Sequence, residues 1–489
     1  MFASTALIAL LPGSLQATGP WSQPTTLAPC SAPGAPAVLF PTDEPRHPTG
    51  PGAIVWGAGS SCADGAGARV SAIAPGGDAP GPATRVGGAR ARARALALSP
   101  PIVAQAAPHG RLLLAGATDV SAGGRLALSE GPAGGPFATP WATGGPDAPL
   151  ALTGAYLGDV ALVSPGGSGA DGARRLQLRV HRYYARAFSP PVSVAGAHGV
   201  ESVAAAMDYR SDALVLWERD RTIYARYMPG SGRSSRAVAF VAHADPGAHI
   251  AALLSDDNRA TIAWSETRLG VTSIYAELSS TGPRFGAPRL LERFSDPGGS
   301  PPPGDAGSPR LVRLSSESVM LAWSGVSAGR WVVHTAAIDE TGVRTIATIS
   351  QPGREALLED LAPGPDGEAY ALWSQPRAAG GGASGGNEDA AGEGESASGG
   401  GGGTGGGGAS SGRLEYGDQA LYAARGIDAY PGRTIFGAPQ LVAAAGSEGV
   451  LGADSAVGVD PDSDRAIVAW RTSGGAIDYA LHAVLPANG

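Results

Sequence analysis

Short apolar runs bounded by polar turns recur along the chain, and their length is that of strands, not helices. The stretches "SDALVLWERD", "NRATIAWSET", "ESVMLAWSGV", "GEAYALWSQP" and "DRAIVAWRTS" each carry an apolar run ending in Trp217, Trp264, Trp323, Trp373 or Trp470. "GAIVWGAG" around Trp56 is an earlier copy, and "GRLLLAGATD" near Leu114 and "GDVALVSPGG" near Val163 are copies without Trp. Once residues 377–412 are set aside, these anchors are spaced by 47 to 61 residues. A second run follows each turn: "TIYARYMP", "SIYAELSS", "ALYAARGI" and "IDYALHAV" place Tyr224, Tyr275, Tyr422 and Tyr479 alike. Branched and aromatic residues at alternating positions predict paired, half-buried strands.

A third signature comes after the second run, an aromatic residue followed three positions on by Pro: Phe137 and Pro140, Phe188 and Pro191, Phe285 and Pro288, Phe436 and Pro439. Pro cannot donate to a ladder, so it predicts an edge strand. Together these repeats resemble a β-propeller, of an uncharacterised secreted bacterial type. The resemblance implies an all-β fold of eight four-stranded antiparallel blades, with seven as the alternative because two copies lack Trp. Neither a repeated WD dipeptide nor the box of sialidase-like propellers is present. The last copy, around Trp470, has two strands but no aromatic-x-x-Pro after them, whereas Trp21 and Pro24 carry that spacing near the start. The N-terminal segment is therefore expected to supply the missing outer strand and close the ring, removing two sheet edges. The expected organisation is a signal peptide over 1–17 and one propeller domain over 18–489. Residues 377–412 form a Gly/Ser-rich, disordered insert within one blade.

Composition narrows the chemistry. Gly 75 and Pro 41 in 489 residues supply turns, while 43% hydrophobic residues supply a core. All 35 basic residues are Arg. That removes Schiff-base, phosphate-loop and kinase lysines. The net charge of −8 gives no general attraction to nucleic acid, and no apolar run is long enough to predict a transmembrane span. The eight His show no zinc spacing, and no Gly-rich stretch opens a helix to hold a nucleotide.

In propellers, the connections between blades share a face with those between second and third strands. The resemblance therefore puts the residues after each Trp on a rim: Glu218, Arg219 and Asp220, Glu266 and Arg268, Gln375, and Arg471. They are the candidate ligand contacts, with solvated turn residues as the alternative. "DPDSD", Asp460 to Asp464, matches the opening of a calcium loop. Arg465 stands where that loop needs Gly and Arg471 where it needs an acid. Turn chemistry is expected there, with an irregular Ca²⁺ site at Asp460, Asp462 and Asp464 as the alternative and no other cofactor. "GVSAG" around Ser327 matches a nucleophile elbow but leads into a strand, which argues against it, and a second match at Ser410 lies in the Gly-rich insert. Arg90, Arg92 and Arg94 share one face of a strand and read as a solvated end.

By the same topology Cys30 lies in an inter-blade connection and Cys62 between second and third strands of the first blade, on one face of neighbouring blades. A disulfide is expected, with buried thiols as the alternative. The functional expectation is an exported, monomeric, non-enzymatic binding or scaffold propeller recognising glycan or protein. The alternative is a carbohydrate-active enzyme, a sialidase-like hydrolase or polysaccharide lyase, using rim carboxylates and Arg.

Overall fold

The computed structural model describes residues 21–482 apart from 41–50, 87–98, 118–125, 144–150, 169–173, 231–237, 296–307, 377–418, 445–449 and gaps of one to four residues. The signal-peptide segment, the insert, the Arg90–Arg94 stretch, Ser410 and Asp462 lie outside the described residues.

The described chain is almost entirely antiparallel strand. β1 (Thr25–Ala28) comes first and pairs with the last strand. Then come four-stranded meanders: β2 (Ala37–Leu39), β3 (Gly52–Ala58), β4 (Gly67–Ile73) and β5 (Thr84–Arg85); β6 (Ser99–Ala107), β7 (Arg111–Ala117), β8 (Leu126–Pro132) and β9 (Trp141–Thr143); β10 (Ala151–Gly154), β11 (Val160–Ser168), β12 (Arg174–His181) and β13 (Val192–Gly196). β14 (Val200–Met207), β15 (Ala213–Arg219), β16 (Thr222–Met228) and β17 (Ala239–His243) follow. β18 (His249–Leu254), β19 (Ala260–Arg268) and β20 (Val271–Ser280) are completed by the short β21 (Arg284–Phe285) and by β22 (Arg289–Ser295). β23 (Arg310–Arg313), β24 (Val319–Ser327), β25 (Arg330–Asp339) and β26 (Gly342–Thr348) make the next sheet. The last sheet has nine strands and contains two such meanders. One comprises β27 (Leu357–Pro363), β28 (Glu368–Pro376), β29 (Gln419–Tyr430), β30 (Arg433–Phe436) and β31 (Gln440–Ala443). The other comprises β32 (Val450–Asp460), β33 (Arg465–Thr472), β34 (Ile477–Leu481) and β1. A single pair, Gln419 with Val450, joins them.

Second strands such as β15 are buried on both faces because neighbouring sheets pack on either side. Ala213, Val215 and Trp217 join a core with Ala161, Val163 and Leu176, while the alternate residues Leu214 and Leu216 join one with Ile262 and Trp264. The same alternation carries the packing on: Ala263 meets Trp323, Ala322 meets Trp373, and Leu372 meets Trp470. Ile467 and Ala469 pack with Ile54 and Trp56, and Val55 packs with Leu114. Each Trp thus fills the interface with the preceding sheet, and burying so large an aromatic stabilises by roughly 2–3 kcal/mol. First strands contact one another in turn: β2 with β6, β6 with β10, β10 with β14, β14 with β18, β18 with β23, β23 with β27, β27 with β32, and β32 with β2. Four-stranded antiparallel meanders packed face to face, with first strands innermost, are a β-propeller architecture.

Three details differ from the sequence reading. Tyr224, Tyr275 and Tyr422 lie directly across from Trp217, Trp264 and Trp373 and stack on them, with centroids 5.3 to 6.5 Å apart. Tyr479, however, pairs with Ala469, and Asp478 stands across from Trp470. Val163 also faces the opposite interface from the one its Trp counterparts fill, where Leu162 packs instead. The prolines precede the outer strands rather than lying in them: β1, β13, β22 and β31 begin just after Pro24, Pro191, Pro288 and Pro439. A residue without an N–H costs nothing at that position.

Candidate functional site

The rim candidates lie where second strands turn into third strands. The turn after β15 comes later than the position of Trp217 implies, because the ladder continues to Arg219 paired with Thr222. Glu218 is therefore a ladder residue and is fully buried. Asp220 and Arg221 form the two-residue turn, both at positive φ, 53° and 61°, as a type I′ hairpin requires. The Arg219 guanidinium lies over the Tyr224 ring at 5.5 Å and 3.4 Å from the Asp220 carboxylate. In the next sheet Glu266 is half-buried and Arg268 exposed, flanking a turn at Leu269 and Gly270. Gln375 is buried beside the end of β28. Arg471 donates to the Ser31 hydroxyl at 3.1 Å and pairs with Asp454 at 3.2 Å. None of these residues lines two cavities found among the first strands of the described residues.

Those cavities are lined chiefly by innermost strands, toward the ends at which most of them begin. In an antiparallel meander that end also carries the second-to-third hairpins. One, of about 530 Å³, is lined by Gly34 to Leu39, Leu358 to Asp360, Asp454 to Ala456 and Arg310. The other, of about 450 Å³, is lined by His249 to Ala252, Ser202 to Ala205, Ala151, Leu152, Leu361 and Ser308 to Leu311. Arg310 borders both.

The first cavity gathers three carboxylates, each already held by the chain. Asp360 accepts the Leu361 N–H at 2.9 Å and, across to β32, the Val457 N–H at 3.0 Å. Burial pushes its carboxyl up, while the Arg310 guanidinium and the two amides draw it down. Glu359 accepts the Ser374 hydroxyl at 2.5 Å, and Asp454 holds Arg471. Beside them Ser455 is 4% exposed, and its hydroxyl has no hydrogen-bond partner among the described residues. In the second cavity the Ser308 hydroxyl is likewise buried without one among the described residues. Sequence reasoning looked after each Trp and missed this set. Its signal was a charged residue at or near the first strand of a unit, in "SPRLVRL", "LLEDLAP" and "GADSAVG".

The remaining motifs resolve into structure. Asp460 accepts the Gly76 N–H at 2.8 Å and the Ser463 hydroxyl, and Arg465 donates to the Gly77 carbonyl at 2.6 Å. Asp464 sits at φ 55°, so this stretch is a turn clasped to the first meander. Among the described residues no three His, Cys, Asp or Glu side chains converge as a metal cluster would. Ser327 ends β24 at an Ala328–Gly329 turn leading straight into β25, which is no elbow geometry. The first Gly of that motif, Gly325, has its own reason: a Cβ there would strike Glu292. That carboxylate accepts the Trp323 indole N–H at 2.6 Å and the Val326 N–H at 3.0 Å. Cys30 and Cys62 form a disulfide.

No family model matches the chain, and no curated protein matches it. Among solved structures it is similar to a fucose-specific lectin from Aleuria aurantia, with 13% identity, 71% of this chain and 97% of the lectin covered, and a TM-score of 0.35. It is also similar to the polysaccharide lyase Uly1, with 11% identity, coverage of 70% and 87%, and a TM-score of 0.42. A third is the acylaminoacyl peptidase of Pyrococcus horikoshii, with 10% identity, coverage of 78% and 51%, and a TM-score of 0.39. Such likenesses assign no activity or ligand, and the architecture stands on the sheets described above.

Proposed function

We propose that the meanders form a closed, eight-bladed ring completed by β1, and that the ring is an exported, non-enzymatic binding protein taking a glycan or protein at the mouth of its axial cavities. The ring rests on the run of first-strand contacts returning from β32 to β2, and on the shared core of Ile467 and Trp56. The disulfide supports an extracytoplasmic setting. Among the described residues no helix is long and apolar enough to cross a membrane.

The observation that carries binding over catalysis is the state of the carboxylates. Glu359, Asp360 and Asp454 each hold a donor from the chain, which fixes them in place as the polar lining of a binding cavity. The carbohydrate-active alternative keeps one support, Arg310 among three acids in one cavity. Purified protein screened on a glycan array and on a polysaccharide panel tests the choice. Saturable binding without release of reducing ends or unsaturated products is expected; turnover would overturn the reading.

A further inference from the structure

The second axial cavity carries a positive charge that the chain does not answer. The first strands β10, β14, β18 and β23 line it, with Leu361 of β27. Among the described residues no carboxylate borders it, and Arg310 does. Half-buried arginines elsewhere are held: Arg425 pairs with Glu368, Arg471 pairs with Asp454, and Arg226 and Arg465 donate to backbone carbonyls. Arg310 is half-buried as they are, yet among the described residues it makes neither a hydrogen bond nor an ion pair. Asp360 attracts it only through space, since the Asp360 oxygens accept the N–H groups of Leu361 and Val457. A guanidinium has five N–H donors in a rigid fork and a fixed charge, and such groups are seldom left unmatched when partly withdrawn from water. The partner it lacks is an anion. The acids beside Arg310 border the other cavity and would repel an anion there, so the second cavity is the one open to it.

We infer that this cavity binds the anionic group of an acidic saccharide, a uronate carboxylate or a sulfate ester, in the fork of Arg310, with Ser202 and His249 on the neighbouring hydroxyls. A volume of about 450 Å³ suits one or two sugar rings. Ala205, Ala251 and Ala252 make shallow walls, which cover the C–H faces of a ring better than they seat the side chains of a peptide. This names the ligand class of the binding reading above and rests on it.

The test is calorimetric titration of the full chain with an oligogalacturonate, with its fully methyl-esterified counterpart of equal length, and with a sulfated oligosaccharide. An acidic oligomer should bind, weaken as salt is raised, and weaken about tenfold in R310M and several-fold in R310K, with E340Q on an exposed turn unchanged. R310K keeps the charge near Asp360 and loses the fork, and melting curves of each variant separate lost binding from lost folding. Whichever acidic oligomer binds tighter identifies the anion as carboxylate or sulfate. Equal affinity for the methyl ester, or full affinity in R310M, would overturn the anion site while leaving saccharide binding standing. Preference for a glutamate-rich peptide would overturn the sugar. A blank glycan array would remove the binding reading itself.

Discussion

The indole of Trp21 and the imidazole of His482 meet edge to face, ring centroids 4.9 Å apart, and their backbones pair as a β-bridge. Trp21 belongs to a core with Tyr370 and Trp470, and His482 packs on both Trp21 and Tyr370. His482 Nε2 shares a hydrogen bond with Gln440 Oε1 at 3.1 Å, so the neutral ring donates from that nitrogen. Burial, helped by Arg425, lowers its pKa from 6.5 to about 4. The unfolded chain therefore takes up this proton first. The stability tied to neutral His482 is complete above pH 6.5 and drains away as pH falls toward 4, by about 2–3 kcal/mol. Melting temperature should drop over that window, and H482Q should flatten the drop. A variant with the wild-type slope would refute the assignment.

Trp21 leads into β1, whose Thr25 pairs with Tyr479 while the Ser22 N–H donates to the Leu481 carbonyl at 2.8 Å. Deleting residues 18–28 strips the outer edge from β34 and empties an aromatic site from the core. W21A alone should cost about 3–4 kcal/mol in urea unfolding, and the deletion more. A single, cooperative transition shifted to lower denaturant is expected; an unchanged midpoint would mean that the N-terminal strand is dispensable.

The Cys30–Cys62 bond fastens the segment after β1 to the turn after β3, across 32 positions of chain. Ser31 donates to the Gly475 carbonyl at 2.8 Å, and the Ala32 N–H donates to the Gly57 carbonyl at 2.8 Å, so this segment is tied to both neighbouring sheets. A loop of that length is worth roughly 4 kcal/mol through the entropy of the unfolded chain. The double variant C30A/C62A should melt lower by a comparable amount yet keep its β-sheet circular dichroism. Loss of the β signal at room temperature would show the bond to be essential for folding itself.

The sequence made the sheets legible because each Trp marks the same register in a repeated ladder, and because Pro marks where an outer strand begins. The two cysteines were legible for the same reason: topology placed them on neighbouring connections. The cavity was not. Arg310, Asp360 and Asp454 are far apart in the chain and meet only because first strands gather about an axis, which no local pattern encodes. Glu218 misled for a smaller reason. The hairpin turns after Arg219, so the residue following Trp217 still obeys strand alternation and points into the core shared with the next sheet.

Glu277 gives an alkaline counterpart to His482. It lies two positions beyond Tyr275 on β20, on the same face, which packs toward the sheet holding Leu214 and Ile223. At the matching register of that sheet Arg226 reaches the Val194 carbonyl at 2.6 Å, but Glu277 is buried among apolar side chains at 3% exposure. Burial raises its pKa from 4.5 to about 7, with the Gly286 N–H pulling the other way. The folded state holds this proton more tightly than the unfolded state. Its contribution is therefore complete below pH 4.5 and is lost as pH rises through 7, on the order of 2 kcal/mol. E277Q keeps the shape without the charge. It should match the wild type near pH 4.5 and melt higher at pH 8, by an amount equivalent to about 1–2 kcal/mol. Parallel melting curves for the two proteins across that range would show that Glu277 reaches water.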